Sequence, residues 1–144
     1  MAEGILVNQR QFRFELVAPE KTEVSSLEQR VMLPGEKGDF MVLGGHTLLL
    51  AGLRNGVVSV MHANGSTSHY FITGGLADIG NEHCTVLTPH IIPMAKLVAE
   101  KLQQDLDRIE GKLSVEVERH AVEHLENERV LLQLKLEAAT KYNA

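Results

Sequence analysis

The chain has 144 residues, 44% hydrophobic and 23% charged, the balance of a folded globular chain rather than a disordered one. Its formal net charge is −5, and its lysines and arginines are scattered, which argues against the concentrated basic surface that nucleic-acid phosphates require. No apolar run approaches the roughly 18–20 residues of a membrane-spanning helix, so no direct membrane insertion is expected.

The first residues, Met1 to Asn8, lack a basic segment followed by a sustained apolar one, so no secretion signal is expected. Short alternating segments then recur between turn signals. Phe12 to Leu16 alternates apolar and polar and stops at Pro19, and Val31-Met32-Leu33 leads into Pro34-Gly35. Val58 to Met61 and Tyr70 to Ile72 flank Asn64-Gly65, a pair suited to a tight hairpin turn. Thr85 to Leu87 supplies a last strand. The lone Cys84 cannot close an intramolecular disulfide, and its alternating apolar neighbours predict a buried structural thiol. Several strands at this spacing predict an antiparallel sandwich or flattened barrel.

Eleven of the twelve glycines and all four prolines lie at or before Pro93, whereas 18 of the 51 residues from Met94 onward are charged. That shift marks a change from strands to helices. Met94, Leu97, Val98, Leu102, Leu106 and Ile109 form one apolar stripe, and Val117, Ala121, Leu125, Leu132 and Leu136 a second. Gly111 is expected to end the first helix and Ser114 to cap the second. The fold class expected is α+β: an N-terminal antiparallel β-sandwich over residues 1–88, then a C-terminal antiparallel two-helix hairpin over residues 89–144.

Candidate chemistry is thin. His120-Ala121-Val122-Glu123-His124 matches the letters of the inverted zinc-protease motif, with both histidines on one helical face. A protease also needs a third ligand and a substrate cleft, which a short exposed hairpin does not provide. His62, His69 and His83 fall on or beside strands without a second ligand type. Cys84 has no electropositive setting, no Gly-x-Ser-x-Gly elbow occurs, and Gly44-Gly45 and Gly74-Gly75 fit no phosphate-binding loop. The reading is a protein with no catalytic residue, cofactor or metal, which works by binding partners.

Phe14 to Glu20, Val31 to Leu43 with His46, Leu53 to Val58, Gly74 to Ile79 and Cys84 to Leu87, taken in order, resemble the epsilon subunit of bacterial F-type ATP synthase, equivalent to the mitochondrial delta subunit. The resemblance implies a β-sandwich and a helical hairpin, and a non-catalytic place in the rotating central stalk. Its partners would be the gamma subunit and the ring of c subunits, with the alpha and beta subunits as further candidates through the hairpin. Its location would be peripheral, at the cytoplasmic face of the bacterial inner membrane, within the F1 sector. It assigns Asp39 and His46 to the c-ring contact, where a carboxylate would meet basic loops. It also implies that the hairpin can swing along gamma and block ATP hydrolysis.

Two departures stand out. ATP-binding members carry (Ile or Leu)-Asp-x-x-Arg-Ala at the start of the first helix; here Pro93 to Ala99 has neither the Asp nor the Arg. The family's His-x-Pro-Leu reads His46-Thr47-Leu48-Leu49, which removes a local backbone constraint. Against this reading stand a small metalloenzyme built on His120, Glu123 and His124, and a generic β-sandwich adaptor.

Overall fold

A computed structural model describes residues 10–143; the segment read for a secretion signal lies outside them. Alternation writes the first strand, β1 (Phe12–Ala18). Phe12, Phe14 and Leu16 turn inward and are at most 1% exposed, while Arg13 faces out. The strands β2 (Lys21–Glu28), β3 (Arg30–Gly35), β4 (Gly38–Leu43), β5 (Leu49–Met61), β6 (Thr67–Ile79) and β7 (His83–Leu87) complete a sheet in the order β2-β1-β7-β6-β5-β3-β4, and β8 (Ile91–Pro93) adds onto β6. The sheet folds over one core that takes Phe14 from β1, Leu33 from β3, Val42 from β4, Val58 and Val60 from β5, Ile72 and Ile79 from β6, and Val86 from β7. This is the expected β-sandwich.

The long ribbon of β5 and β6 pairs from Leu49 opposite Ile79 to Met61 opposite Thr67. Midway, Gly74 and Gly75 take φ of 70° and 137°, and a Cβ on Gly75 would collide with the Leu87 carbonyl. Only glycine combines that backbone with so close an approach. One pair departs from the expected antiparallel pattern: β1 and β7 run parallel, from Arg13 opposite His83 to Val17 opposite Leu87. The Asn64-Gly65 turn joins β5 to β6 as expected. The Asn64 Oδ1 accepts from the Ser66 N–H at 2.9 Å, and Gly65 takes the positive φ.

The chain divides into compact units between Ile92 and Pro93, later than the expected break after Thr88, because β8 still pairs with β6. The second unit opens with a 3-10 turn (Met94–Lys96), followed by α1 (Ala99–Leu113) and α2 (Arg119–Tyr142). The Asn143 side chain, just past α2, donates to the carbonyls of Met94 and Leu97 at 2.9 and 3.0 Å. The end of α2 therefore lies at the start of α1, and the helices are antiparallel.

Leu102, Leu106 and Ile109 are buried on α1, and Ala138 and Ala139 on α2. Val98 and Val117 were expected on the apolar stripes but are 56% and 93% exposed, because both precede the helices they were assigned to. Gly111 does not end α1, which runs to Leu113; Ser114 closes it, its Oγ donating to the Gly111 carbonyl at 2.6 Å. The cap of α2 is Glu118, whose carboxylate accepts from the Ala121 N–H at 2.7 Å, a role favoured by the helix dipole.

Truncating Phe14 to Ala should destabilise the chain by about 3–5 kcal/mol through the cavity it leaves, read as a lower midpoint in thermal denaturation. Asn143→Ala should remove both bonds at the base of the helix pair and cost about 1–3 kcal/mol there. Hydrogen exchange in full-length protein should then quicken across residues 94–113 while the β5–β6 amides keep their protection.

Candidate functional site

The structure places Asp39 and His46 toward opposite ends of one strand rather than together. Asp39 is the second residue of β4, and His46 lies three residues past its last. Roughly 13 Å of strand separates Asp39 from Leu43 at about 3.3 Å per residue. Asp39 is held: the Arg54 guanidinium reaches across from β5, donating from Nη2 to Asp39 Oδ1 at 2.6 Å and from Nη1 to the Gly35 carbonyl at 2.5 Å. Both side chains remain about half exposed. Arg54 thus staples the turn between β3 and β4 onto β5. Glu36, in the same turn, is exposed, and its backbone N–H donates to the Gly52 carbonyl at 3.0 Å.

His46 sits in a connection tied to the sandwich by the Gly45 N–H donating to the Asn81 carbonyl at 2.9 Å. Its Nδ1–H donates to the Thr47 carbonyl at 2.8 Å, which leaves Nε2 available. Leu43, Leu48, Leu49 and Leu50 around it are all exposed, Leu48 at 82%. Scattered exposed leucines mean little, but four within eight positions, at the end of β4, in the connection and at the start of β5, mark this stretch as a candidate partner surface. Both Arg54 and these leucines escaped the sequence reading. A basic residue directly after the core-facing Leu53, outward by strand alternation, was the available signal for Arg54.

Among the described residues no three His, Cys, Asp or Glu side chains gather to hold a metal. On α2 the inverted protease letters are spent on separate ion pairs, Arg119 with Glu123 at 3.6 Å and His124 with Glu128 at 2.7 Å. Cys84 is fully buried, and burial pushes its thiol up to about 12, so it stays protonated and inert. His62 meets Glu28, a buried acid, at 3.2 Å through Nδ1 and Ser68 Oγ at 2.8 Å through Nε2, while Ser26 donates to the other Glu28 oxygen at 2.7 Å. These bonds satisfy a carboxylate that would otherwise be costly to bury.

Residues 11–94 match the β-sandwich domain of the ATP synthase delta/epsilon chain. The chain belongs to the ATP synthase delta/epsilon family. An ATP synthase epsilon chain of Rhizobium johnstonii is 35% identical over 115 residues, 80% of this chain and 78% of that relative. One from Brucella canis is 38% identical over 96 residues, covering 67% and 71%, and one from Paracoccus denitrificans 33% over 109, covering 76% and 74%. The fold is shared with a chain of the Euglena gracilis mitochondrial ATP synthase OSCP/F1/c-ring assembly. There the TM-score is 0.70 at 22% identity, over 88% of this chain and 76% of that one. A chain of the Tetrahymena thermophila mitochondrial ATP synthase central stalk and c-ring gives 0.63 at 11%, over 92% and 98%.

Burial holds His69, bonded through Nδ1 to Ser59 Oγ at 2.7 Å, below its usual value of 6.5. Between that lowered value and 6.5 the unfolded chain binds the proton that the folded chain refuses. Stability from this group is therefore complete above 6.5 and declines as pH falls below it. Thermal midpoints measured across that window should drop on acidification, and His69→Gln should flatten the slope.

Proposed function

We propose that the chain is a non-catalytic central-stalk subunit of a proton-translocating F-type ATP synthase, coupling gamma rotation to the c ring. The observation that carries this is family membership spread over most of the chain, with relatives named as ATP synthase epsilon chains at 33–38% identity. The absence among the described residues of a helix long and apolar enough to cross a membrane accords with a peripheral subunit, held by protein contacts at the cytoplasmic face of a bacterial membrane.

The sandwich binds gamma and rests on the c ring. The turn that carries Asp39 and the leucine-rich connection that carries His46 supply the ring contact, one by charge and one by apolar area. The helix pair is a regulatory arm that reaches the alpha and beta subunits when it extends along gamma. Such a switch needs two packings within a few kcal/mol of each other. A helix pair whose buried apolar residues are three on α1 and two alanines on α2 supports a state so easily opened. Pro93 to Ala99 lacks the Asp and Arg of ATP-binding members, so the reading assigns the arm no nucleotide.

The test is a pair of reconstituted complexes, one with the full chain and one with a chain ending at Pro93, which preserves β8. Both should assemble with gamma and the c ring and couple proton flow to ATP synthesis. The shortened chain should give faster ATP hydrolysis; equal rates would remove the inhibitory role, and failure of either complex to assemble would remove the stalk role.

A further inference from the structure

We propose that the fold selects Asn64, and not Asn55, for spontaneous deamidation, which converts an amide at the tip of the β5–β6 ribbon into an aspartate or isoaspartate carboxylate.

The sequence contains Asn-Gly twice, at Asn55-Gly56 and at Asn64-Gly65. In such a pair the glycine nitrogen can attack the side-chain carbonyl carbon with no Cβ in its way. At Asn64 the Gly65 nitrogen bonds to Cγ and loses its proton to solvent, and the Cγ–Nδ2 bond breaks to release ammonia. Water then opens the five-membered imide. Cleavage at Cγ leaves aspartate, and cleavage at the backbone carbonyl leaves isoaspartate. Water is the only co-reactant.

The turn assists this step. Asn64 Oδ1 accepts from the Ser66 N–H at 2.9 Å and from the Ser66 hydroxyl at 2.6 Å. Negative charge develops on that oxygen during attack, so the two donors stabilise the tetrahedral intermediate as an oxyanion hole does. A backbone N–H only donates, so oxygen must face it, and Nδ2 is left free to depart. Residues 63–67 are exposed, which admits water and base. Gly65 takes a φ of 90°, with nothing within 4 Å of where a Cβ would stand. The restraint on the nucleophile is one turn bond, from the Gly65 N–H to the His62 carbonyl at 3.0 Å. Exposed turn tips open at small cost.

Asn55 has the opposite surroundings. It lies midway along β5 opposite Thr73, with Gly56 opposite Ile72. Attack there requires the Gly56 nitrogen to leave its extended backbone at the centre of the longest strand pairing. Openings of that kind approach the cost of global unfolding. Pro34 also closes in on Gly56, where a Cβ would meet it at 2.8 Å. One Asn-Gly is therefore shielded, and the other is exposed and polarised. The product at Asn64 adds a negative charge to a chain of net charge −5. Isoaspartate also lengthens the backbone between His62 and Ser66, whose N–H and carbonyl are bonded at 2.8 Å.

The experiment ages the full-length chain in heavy-oxygen water at mildly alkaline pH, natively and in urea. Fragment-ion mass spectrometry then locates the label, which only imide hydrolysis during ageing introduces. In the native chain Asn64 should convert many-fold faster than Asn55, and in urea the two rates should converge. Ser66→Ala, with its thermal midpoint as a folding control, should slow Asn64 several-fold natively and have little effect in urea. Equal native rates at the two sites, or an Asn64 that converts only in urea, would overturn the selection. The same preference for Asn64 in urea as in the native chain would assign it to sequence and overturn the role of the fold. An unchanged native rate in Ser66→Ala would remove the oxyanion assistance.

Discussion

The N-terminal unit depends on the pairing of β5 with β6. These are its longest strands, thirteen residues each, and their ribbon contributes to the core along its whole length, from Leu53 through Val58 and Val60 on one strand and from Ile72 through Ala77 and Ile79 on the other. The remaining strands are arranged by it. β3 docks on β5 and β7 on β6, and through them come β4, β1 and β2. A pairing of this kind fixes register strongly, since a slip by one residue would turn every core side chain outward. The glycines at its middle accommodate the neighbouring chain at Leu87 without loosening that register.

Polar groups follow the same frame. Arg54 leaves β5 directly beside Leu53 and closes the β3–β4 turn. His62, one residue past β5, reaches the only buried carboxylate among the described residues, Glu28. Both lie at places where the ribbon meets another strand or turn. Both acquire fixed positions from the ribbon, Arg54 at the surface and His62 against a buried acid.

Much of this was legible in the sequence, and the limits have physical causes. Alternation exposed β1, and the shift in glycine, proline and charge located the change to helices close to where it occurs. The parallel pairing of β1 with β7 was not legible, because pairing direction depends on how distant segments meet, and neither strand's own residues carry it. The cap of α2 was misassigned to Ser114 because serine is the commoner capping residue; Glu118 does the same work with a carboxylate and a longer reach. At the candidate site Asp39 came from the family resemblance, and its partner Arg54, fifteen residues on, was not legible, since only the folded sheet brings the two together. Family resemblance supplied the meaning of that turn, and geometry supplied its electrostatics.

The clasp at Asn143 carries a further implication. One amide nitrogen holds two carbonyls that belong to the segment leading into α1, so the far end of the sequence guards the entrance to the helix pair. The final turn of α2 cannot leave the start of α1 without releasing both carbonyls at once, since they share one donor group.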